Sequence, residues 1–576
     1  MIKISNSLKF IFSLMLVHKN LLLYHLLCCI LLAITNIIEP MLAKEVIDKS
    51  FHVKNINNLL RLALAWSTLY CLKYIFCYIQ KKINLKYKIH TFKEIRTNIF
   101  SVLLKKPLIF FKEKSSSYVL SRFNNDIESL DGILLSNIIS SLVSFFQIII
   151  IIMIMFHINP VLCMITIVIK IIELILNVAF PLKKLYKSHN EALANIDASV
   201  QDSFQCVKLI KSANKGDFET ERYIGNLELY LEKRINRDKI NIIRDVGSRF
   251  IIEASYPLIV IIGGIGIFYN MISIGSVIAF LIYFQKITPL FNEVAYIIPI
   301  YKISLASLDR LYEFISVPNE DIYSGEPLEK IYSIEFRNVK FSYKDRPILK
   351  NINFKLYNNQ MNALVGLSGS GKSTIANMLM GYLKPDSGEI LINGRNLSCF
   401  KLKDIRKNIS LLSQEPIILE RSLRENLDYN CDNYNFKLKY SNIMKKTNLV
   451  LTIKRLKYGI STLLKQNGNN LSGGERQRVC LARELFKDAS VYIFDEATSA
   501  LDAFSEKTVM DNISNLSKKN ITLVITHQLS NIKNADMIYV LHKGKIIEYG
   551  NHTNLIKNKK IYYDLYKKQK NDGGRL

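Results

Sequence analysis

The sequence contains no Cys-x-x-Cys pair, although it has nine cysteines, an odd number. This absence excludes ribbon-type zinc sites and thioredoxin-like redox motifs. Scattered free thiols are typical of a reducing cytosol and of lipid-facing surfaces. Acidic residues are scarce, with 49 Asp and Glu against 77 Lys and Arg, so the formal net charge is +28. No RNA- or DNA-binding motif accompanies this charge, and we attribute it to basic residues that flank membrane spans.

Apolar residues are unevenly distributed along the chain. They make up 49% of the 576 residues, which excludes a disordered protein. Long apolar runs occupy roughly the first 320 residues, and the remainder has the composition of a soluble domain. The sequence therefore predicts an all-α membrane domain at 20–320, followed by a globular domain.

Six segments approach the ~20 apolar residues that a membrane-spanning helix needs. They are 20–43, 57–80, 132–156, 160–182, 248–270 and 274–298. Short connections predict that spans three and four, and spans five and six, form hairpins. The polar, helix-like segments 83–130 and 183–245 are predicted to extend into the cytoplasm. Residues 1–19 are predicted to form an amphipathic elbow helix on the inner leaflet.

The basic residues fix the predicted orientation in the membrane. The segment 83–130 contains nine Lys and Arg, and 183–245 contains twelve. The turns 157–159 and 270–273 contain none. Both termini and the globular domain are therefore predicted to be cytoplasmic in a multi-pass membrane protein.

Several charged residues fall inside the predicted spans. Lys170 and Glu173 are three residues apart and share one helix face. The other candidates are Lys73, Glu253, Lys286 and Glu293. Charges at this depth usually face a bundle interior or a water-filled cavity. Both a substrate cavity and a structural ion pair fit this pattern.

The globular domain, predicted at 334–570 with a linker at 321–333 and a tail at 571–576, begins with short alternating strands. One strand, 363–365, leads directly into a G-x-x-x-x-G-K-[ST] motif, the P-loop. The motif comprises Gly366, Leu367, Ser368, Gly369, Ser370, Gly371, Lys372, Ser373 and Thr374. Its glycines let backbone N–H groups surround phosphates, Lys372 reaches the β/γ oxygens, and the Ser373 hydroxyl suits Mg²⁺. The pattern predicts an α/β P-loop NTPase domain.

An acidic strand end follows later in the chain. The run Val491-Tyr-Ile-Phe-Asp495 is a buried strand that ends in two acids, Asp495 and Glu496. Asp495 is placed to hold Mg²⁺ through water, and Glu496 to orient the water that attacks the γ-phosphate. Beside a P-loop, this element is interpreted as a Walker B strand.

Between the two elements lies Leu471-Ser472-Gly473-Gly474-Glu475-Arg-Gln-Arg478. It resembles the signature sequence of ATP-binding-cassette (ABC) proteins. Four more residues resemble family motifs in the family's order: Tyr343 (adenine stacking), Gln414 (Q-loop), Asp502 (D-loop, from Ser499) and His527 (switch histidine). The resemblance implies that Lys372, Glu496 and His527 act in catalysis. It also implies that Tyr343, the P-loop, Gln414, Ser472, Gly473, Gly474 and Asp502 bind ATP, and that Ser373, Gln414 and Asp495 bind Mg²⁺.

The resemblance extends to nearly the whole chain and implies an exporter half-transporter. Coupling helices are expected near 110–118 and 202–212. Two departures stand out: Glu475 replaces the usual Gln of the signature, and Thr462–Gly468 lacks the usual acidic stretch.

The family geometry implies a dimer, because ATP binds between the P-loop of one cassette and the signature of the other. The intact Lys372, Ser472, Glu496 and His527 favour a homodimer over a heterodimer. The implied function is ATP-driven export by alternating access, with a peptide, lipid or drug-like substrate. The alternative is an ATP-gated channel or a regulator that does not transport. The Lys-, Ile- and Asn-rich composition suggests a bacterial plasma membrane.

Overall fold

The computed structural model describes residues 13, 15–52, 56–114, 116–179, 182–344, 346–431, 433–496 and 503–572. The chain divides into two compact units. The N-terminal unit contains residues 1–104 and 116–317, and the C-terminal unit contains residues 105–115 and 318–576. Most of the predicted elbow helix lies outside the described residues, and its end forms a 3-10 helix at Leu16–His18.

The segment 105–115 belongs to a different unit from the one that the sequence predicts. We expected it in the first cytoplasmic extension of the membrane domain, but its contacts group it with the C-terminal unit. The backbone N–H of Glu320 donates to the carbonyl of Lys105 at 2.7 Å. Lys106 Nζ donates to Asn319 Oδ1 at 2.8 Å. These bonds tie the segment to the start of the C-terminal unit.

The N-terminal unit is helical. Its helices are α1 Lys19–His52, α2 Ile56–Leu104, α4 Ser116–Ser121, α5 Leu135–Ile158, α6 Pro160–Ala179, α7 Leu182–Gln205, α8 Val207–Ser212, α9 Gly216–Phe268 and α10 Ile274–Ser316, while α3 Leu108–Glu113 lies in segment 105–115. A π-helical turn at Arg122–Asp126 and a 3-10 helix at Ser129–Ile133 lead into α5. Short α8 falls within the predicted second coupling segment.

Five helices among the described residues are long and apolar enough to cross a membrane. They are Leu16–Lys49, Ile56–Leu104, Tyr118–Ile158, Gly216–Phe268 and Ile274–Ser316. These five overlap predicted spans one, two, three, five and six. The fourth predicted span corresponds to α6, which runs up to residues outside the description. The count of six spans therefore stays a prediction.

A polar contact joins the end of α1 to the start of α10. Asp48 accepts hydrogen bonds from the Ser273 hydroxyl at 2.7 Å and from the Gly275 N–H at 2.9 Å. A Cβ atom on Gly275 would lie 2.5 Å from the carbonyl oxygen of Lys44, so this approach requires glycine. The contact anchors the α9–α10 hairpin against α1.

The C-terminal unit is an α/β domain. Its strands are β1 Ser333–Tyr343, β2 Arg346–Tyr357, β3 Met361–Val365, β4 Ser387–Ile392, β5 Arg395–Asn396, β6 Ile409–Leu412, β7 Val491–Asp495, β8 Ile521–Thr526, β9 Met537–His542 and β10 Lys545–Gly550. Its helices are α11 Lys372–Leu379, α12 Leu402–Asn408, α13 Leu423–Leu427, α14 Asn433–Lys446, α15 Val450–Arg455, α16 Gly473–Phe486, α17 Ala503–Ser517, α18 His552–Lys557 and α19 Ile561–Asp572.

Two sheets organise this unit. The smaller is antiparallel, in the order β2-β1-β4-β5, and the larger has the order β10-β9-β3-β8-β7-β6 with a parallel centre. Strands β3, β7 and β8 are buried along their whole length, which matches their predominantly apolar sequences. Their carboxyl ends meet at one edge of the sheet, where ligands bind in such folds. The predicted α/β fold is confirmed.

Candidate functional site

The P-loop connects β3 to α11 with a tightly curved backbone. Gly369 and Gly371 adopt φ angles of +77° and +108°, a region that favours glycine. A Cβ atom on Gly366 would lie 2.2 Å from the carbonyl oxygen of Leu541, so no larger residue fits there. This curvature suits backbone N–H groups to converge on a bound anion.

Lys372 is folded back over the loop. Its side chain is buried, and Nζ donates to the carbonyls of Gly366 at 2.9 Å and Leu367 at 3.0 Å. Burial lowers the pKa of Lys372, and the charges of Glu496 and Asp495 oppose that shift. The ammonium is therefore held at the centre of the loop, where phosphate oxygens would take the place of the carbonyls.

Two hydroxyls of the loop fit a phosphate and its metal. Ser370 Oγ is buried without a hydrogen-bond partner among the described residues, and such an orphaned group is costly unless a ligand satisfies it. Ser373 lies in the first turn of α11 and hydrogen-bonds to Asp495. Burial raises the pKa of Asp495, opposed by the Ser373 hydrogen bond and the charge of Lys372. A hydroxyl next to a carboxylate is a donor set that Mg²⁺ prefers.

Glu496 is the point where three predicted residues meet. Its Oε2 accepts from Gln414 Nε2 at 2.8 Å, and its Oε1 lies 3.2 Å from His527 Nδ1. Its backbone has a positive φ of +52°, and its N–H donates to Ile525 O at 2.9 Å. Strained backbone in a non-glycine residue is concentrated at functional sites. The carboxylate is thus fixed beyond the end of β7, where it could orient a water molecule.

Gln414 has a different partner from the one expected of a metal ligand. The sequence placed it with Ser373 and Asp495 around Mg²⁺, but its amide nitrogen contacts Glu496. Its metal role stays a prediction.

The signature turn begins α16. Ser472 caps the helix, and its Oγ accepts from the N–H of Glu475 at 3.3 Å, while Gly473 and Gly474 form the first turn. Further along the helix, Gln477 Nε2 donates to the backbone carbonyl of Glu496 at 3.2 Å. Among the described residues, no hydrogen bond joins Ser472 to the P-loop of the same chain.

Of the remaining predicted residues, Tyr343 is described and the D-loop residues are not. Tyr343 ends β1 and packs edge-on against Phe341, with ring centroids 4.9 Å apart. Lys112, from segment 105–115, places Nζ 5.8 Å from the Tyr343 ring centroid. The D-loop residues Ser499 and Asp502 lie outside the described residues.

Known families account for most of the chain. Residues 349–499 match the ABC transporter family, and residues 22–289 match the ABC transporter transmembrane region. The ATP-dependent lipid A-core flippase of Wigglesworthia glossinidia brevipalpis is 30% identical over 82% of this chain and 83% of its own length. The chain is an ABC transporter. Its cassette hydrolyses ATP, and hydrolysis is coupled to transport.

Other relatives extend the similarity along the ABC transporter. An uncharacterized ABC transporter ATP-binding protein of Bacillus subtilis is 28% identical over 98% of this chain and 94% of its own length. A solved bacterial Atm1-family ABC exporter with ATP bound superposes with a TM-score of 0.82, at 23% identity, over 96% of this chain and 98% of that one. The fold is therefore that of the exporters. Together with the ATP-dependent flippases among its relatives, the family match shows that this transporter is an ATP-driven exporter embedded in a membrane.

Five charged residues of the apolar helices form two clusters, while Glu293 accepts a hydrogen bond from Ser144 Oγ at 2.7 Å outside both. In the first, Lys170 Nζ lies 2.8 Å from both Glu173 Oε2 and Thr288 Oγ1, and Ser248 Oγ donates to Glu173 at 3.0 Å. Lys170 and Glu173 are buried and neutralise each other. The 2.8 Å contact fits a structural ion pair, but Lys170 also lines a cavity with residues of α5, α6 and α10. Both interpretations left open by the sequence stay predictions.

The second group, here called the Glu39 cluster, comprises Glu39, Tyr70, Lys73 and Lys286. The buried Glu39 carboxylate accepts from Tyr70 at 2.6 Å, from Lys73 at 3.0 Å and from Lys286. One carboxylate thus faces two ammonium groups, from helices α1, α2 and α10. With all three ionised, the cluster has a net charge of +1 inside apolar segments.

Sequence reasoning missed Glu39 and Gln477. Glu39 was the only acid in the first predicted span, and that alone could have identified it. Gln477 lies inside the signature stretch, but its partner is a backbone carbonyl 19 residues away, which no pattern reveals.

Proposed function

We propose that the exporter works as a homodimer and moves an amphiphile with an anionic headgroup across a bacterial plasma membrane, with its cassette in the cytoplasm. The Glu39 cluster carries this proposal. Its uncompensated charge would attract an anionic group, and the desolvated surroundings would strengthen that attraction. An apolar tail would fit among the neighbouring helix faces.

The relatives support a lipid-like substrate more than a peptide. Several are lipid A-core flippases, including those of Desulfotalea psychrophila and Wigglesworthia glossinidia brevipalpis. A human relative is an oligopeptide transporter, of which this chain spans 64%. The extra lysine of the Glu39 cluster would repel a cationic peptide.

The dimer follows from the single P-loop and the single signature of the chain. Ser472 would donate its free hydroxyl hydrogen to the γ-phosphate held by Lys372 of a second copy. Glu496 and His527 would orient the attacking water. Mg²⁺ would be held by Ser373 and Asp495 and would neutralise phosphate charge. The intact catalytic residues favour two identical copies.

The test uses the purified full-length chain in proteoliposomes. Labelled lipids with a phosphoglycerol or a phosphocholine headgroup would be compared for ATP-dependent movement between leaflets, with Glu496→Gln as the control without turnover. We expect movement of the anionic lipid to exceed that of the zwitterionic lipid by about tenfold. Light scattering should give a mass of two chains.

Equal movement of both lipids would contradict the headgroup assignment. ATP hydrolysis without movement of any lipid or peptide would favour the channel or regulator alternative. A stable ATP-bound monomer would contradict the dimer.

A further inference from the structure

The signature helix begins with a capping box whose acidic member is Glu475. The Ser472 N–H donates to Glu475 Oε2 at 2.8 Å, and the Glu475 N–H donates back to Ser472 Oγ. The Glu475 side chain is 7% exposed. This arrangement orders the turn that presents Ser472, Gly473 and Gly474. It also places a carboxylate directly behind that turn.

The charge of this carboxylate has a specific partner. Arg455, the last residue of α15, donates from Nη2 to Glu475 Oε2 at 2.7 Å. Its side chain is 60% exposed, so the cation reaches from the surface onto a buried acid. Burial alone would raise the pKa of Glu475, but hydrogen bonds from Ser472 and Arg455 hold the pKa below its ordinary value. The acid is therefore ionised and needs its cation.

We propose that Arg455 is a positioning residue for ATP hydrolysis. Its guanidinium cancels the charge of Glu475, which lies behind the signature turn that faces the phosphates. The inference rests on the proposed dimer, in which this turn meets the triphosphate held by the other copy. An unpaired carboxylate would repel that triphosphate. A glutamine at position 475 would cap the helix without carrying a charge, so it would not need Arg455 as a partner.

The same helix contacts the backbone of Glu496 in its own chain. Gln477 Nε2 donates to the backbone carbonyl of Glu496. A signature turn displaced by repulsion would therefore disturb both ATP sites of the dimer. The loss should be larger in the apparent affinity for ATP than in the maximal rate, because repulsion opposes ATP-driven closure.

The experiment is a double-mutant cycle on the full-length dimer in lipid nanodiscs. ATPase kinetics would be measured for wild type, Arg455→Ala, Glu475→Gln and the double variant. We expect Arg455→Ala to raise the KM for ATP about tenfold in the wild-type background and less than twofold in the Glu475→Gln background. Lys454→Ala, an exposed cation on the same helix, is the matched control and should change KM less than twofold.

Closure would be measured separately in the Glu496→Gln background, by cross-linking of the two cassettes with increasing ATP. Arg455→Ala should shift this titration to about tenfold higher ATP, and Arg455→Lys should shift it less. A thermal unfolding scan would check that each variant is folded.

Two outcomes would overturn the inference. The first is a KM for ATP of Arg455→Ala within twofold of the wild-type value, and the second is an equal rise in KM in the wild-type and Glu475→Gln backgrounds. The second would indicate a merely structural role for Arg455. An inactive or monomeric wild type would instead overturn the proposed function, so the two failures are distinguishable.

Discussion

The ATP site and the Glu39 cluster bring charged residues together in different ways. At the ATP site, Lys372 follows the loop after strand β3, and Asp495 and Glu496 lie at the end of β7, all within short motifs. In the Glu39 cluster, Glu39 and Lys286 are 247 positions apart and belong to no motif. The first site is a property of local sequence and sheet order, and the second is a property of helix packing alone.

The two regions also differ in charge balance. In the cassette, buried Lys372 lies near two carboxylates, and a triphosphate and its metal would complete the balance. In the membrane unit, two lysines share one acid. Unbalanced charge is tolerated less well among apolar helices than beside water, so the extra lysine needs a functional reason. Under the proposed function, this difference separates a site for ATP from a site for the exported molecule.

The largest expected effect is at the ATP site. Lys372→Ala should reduce ATP hydrolysis by about 100-fold or more, because removal of a preorganised phosphate contact costs about 3–4 kcal/mol of transition-state stabilisation. The rate of phosphate release by the purified exporter measures this loss of ATP hydrolysis. Lys519→Ala, an exposed cation of the cassette, is the control. Turnover near the wild-type rate would contradict the P-loop assignment.

Glu496→Gln tests the convergence of Gln414 and His527 on one carboxylate. The amide cannot accept a proton from water, so hydrolysis should fall about 100-fold. ATP binding should persist, because Glu496 belongs to the step after binding. Retained ATP and cross-linking of two cassettes would measure this closed state. Normal turnover would show that another group activates the water.

The same contrast explains what could be predicted from sequence. Lys372 and Glu496 were identified from the P-loop and Walker B patterns, and His527 from the resemblance to ABC proteins. Parallel strands bring their carboxyl ends to one edge, so residues at these strand ends lie close together. Arg455 lies 20 residues before Glu475 in a helix with no motif, and only the fold makes them partners. The grouping of segment 105–115 with the cassette was missed for the same reason, since hydrogen bonds to Asn319 and Glu320 leave no pattern.

A smaller effect is expected in the Glu39 cluster. Lys286→Ala leaves Glu39 paired with Lys73 and makes the cluster neutral, so an anionic headgroup loses its attraction. The number of anionic lipids moved per ATP hydrolysed should fall about tenfold, the typical value of one charge-assisted hydrogen bond. Lys286→Arg keeps the positive charge and should retain most of the anionic lipid movement per ATP hydrolysed. An unchanged ratio in Lys286→Ala would remove this cluster from substrate binding.

The smallest effect is expected when both residues of the Lys170–Glu173 pair are replaced together, because the charges of this pair are balanced and those of the Glu39 cluster are not. Replacement of both residues, Lys170→Met with Glu173→Leu, should change thermal stability little and lipid movement less than twofold, because apolar pairs often replace buried ion pairs without loss. Either single substitution leaves a buried charge unpaired and should cost about 3–5 kcal/mol. Thermal unfolding in detergent compares the three variants. If the double variant stopped transport while remaining folded, Lys170 would belong to the cargo site, and charge balance would not distinguish a structural pair from a binding cluster.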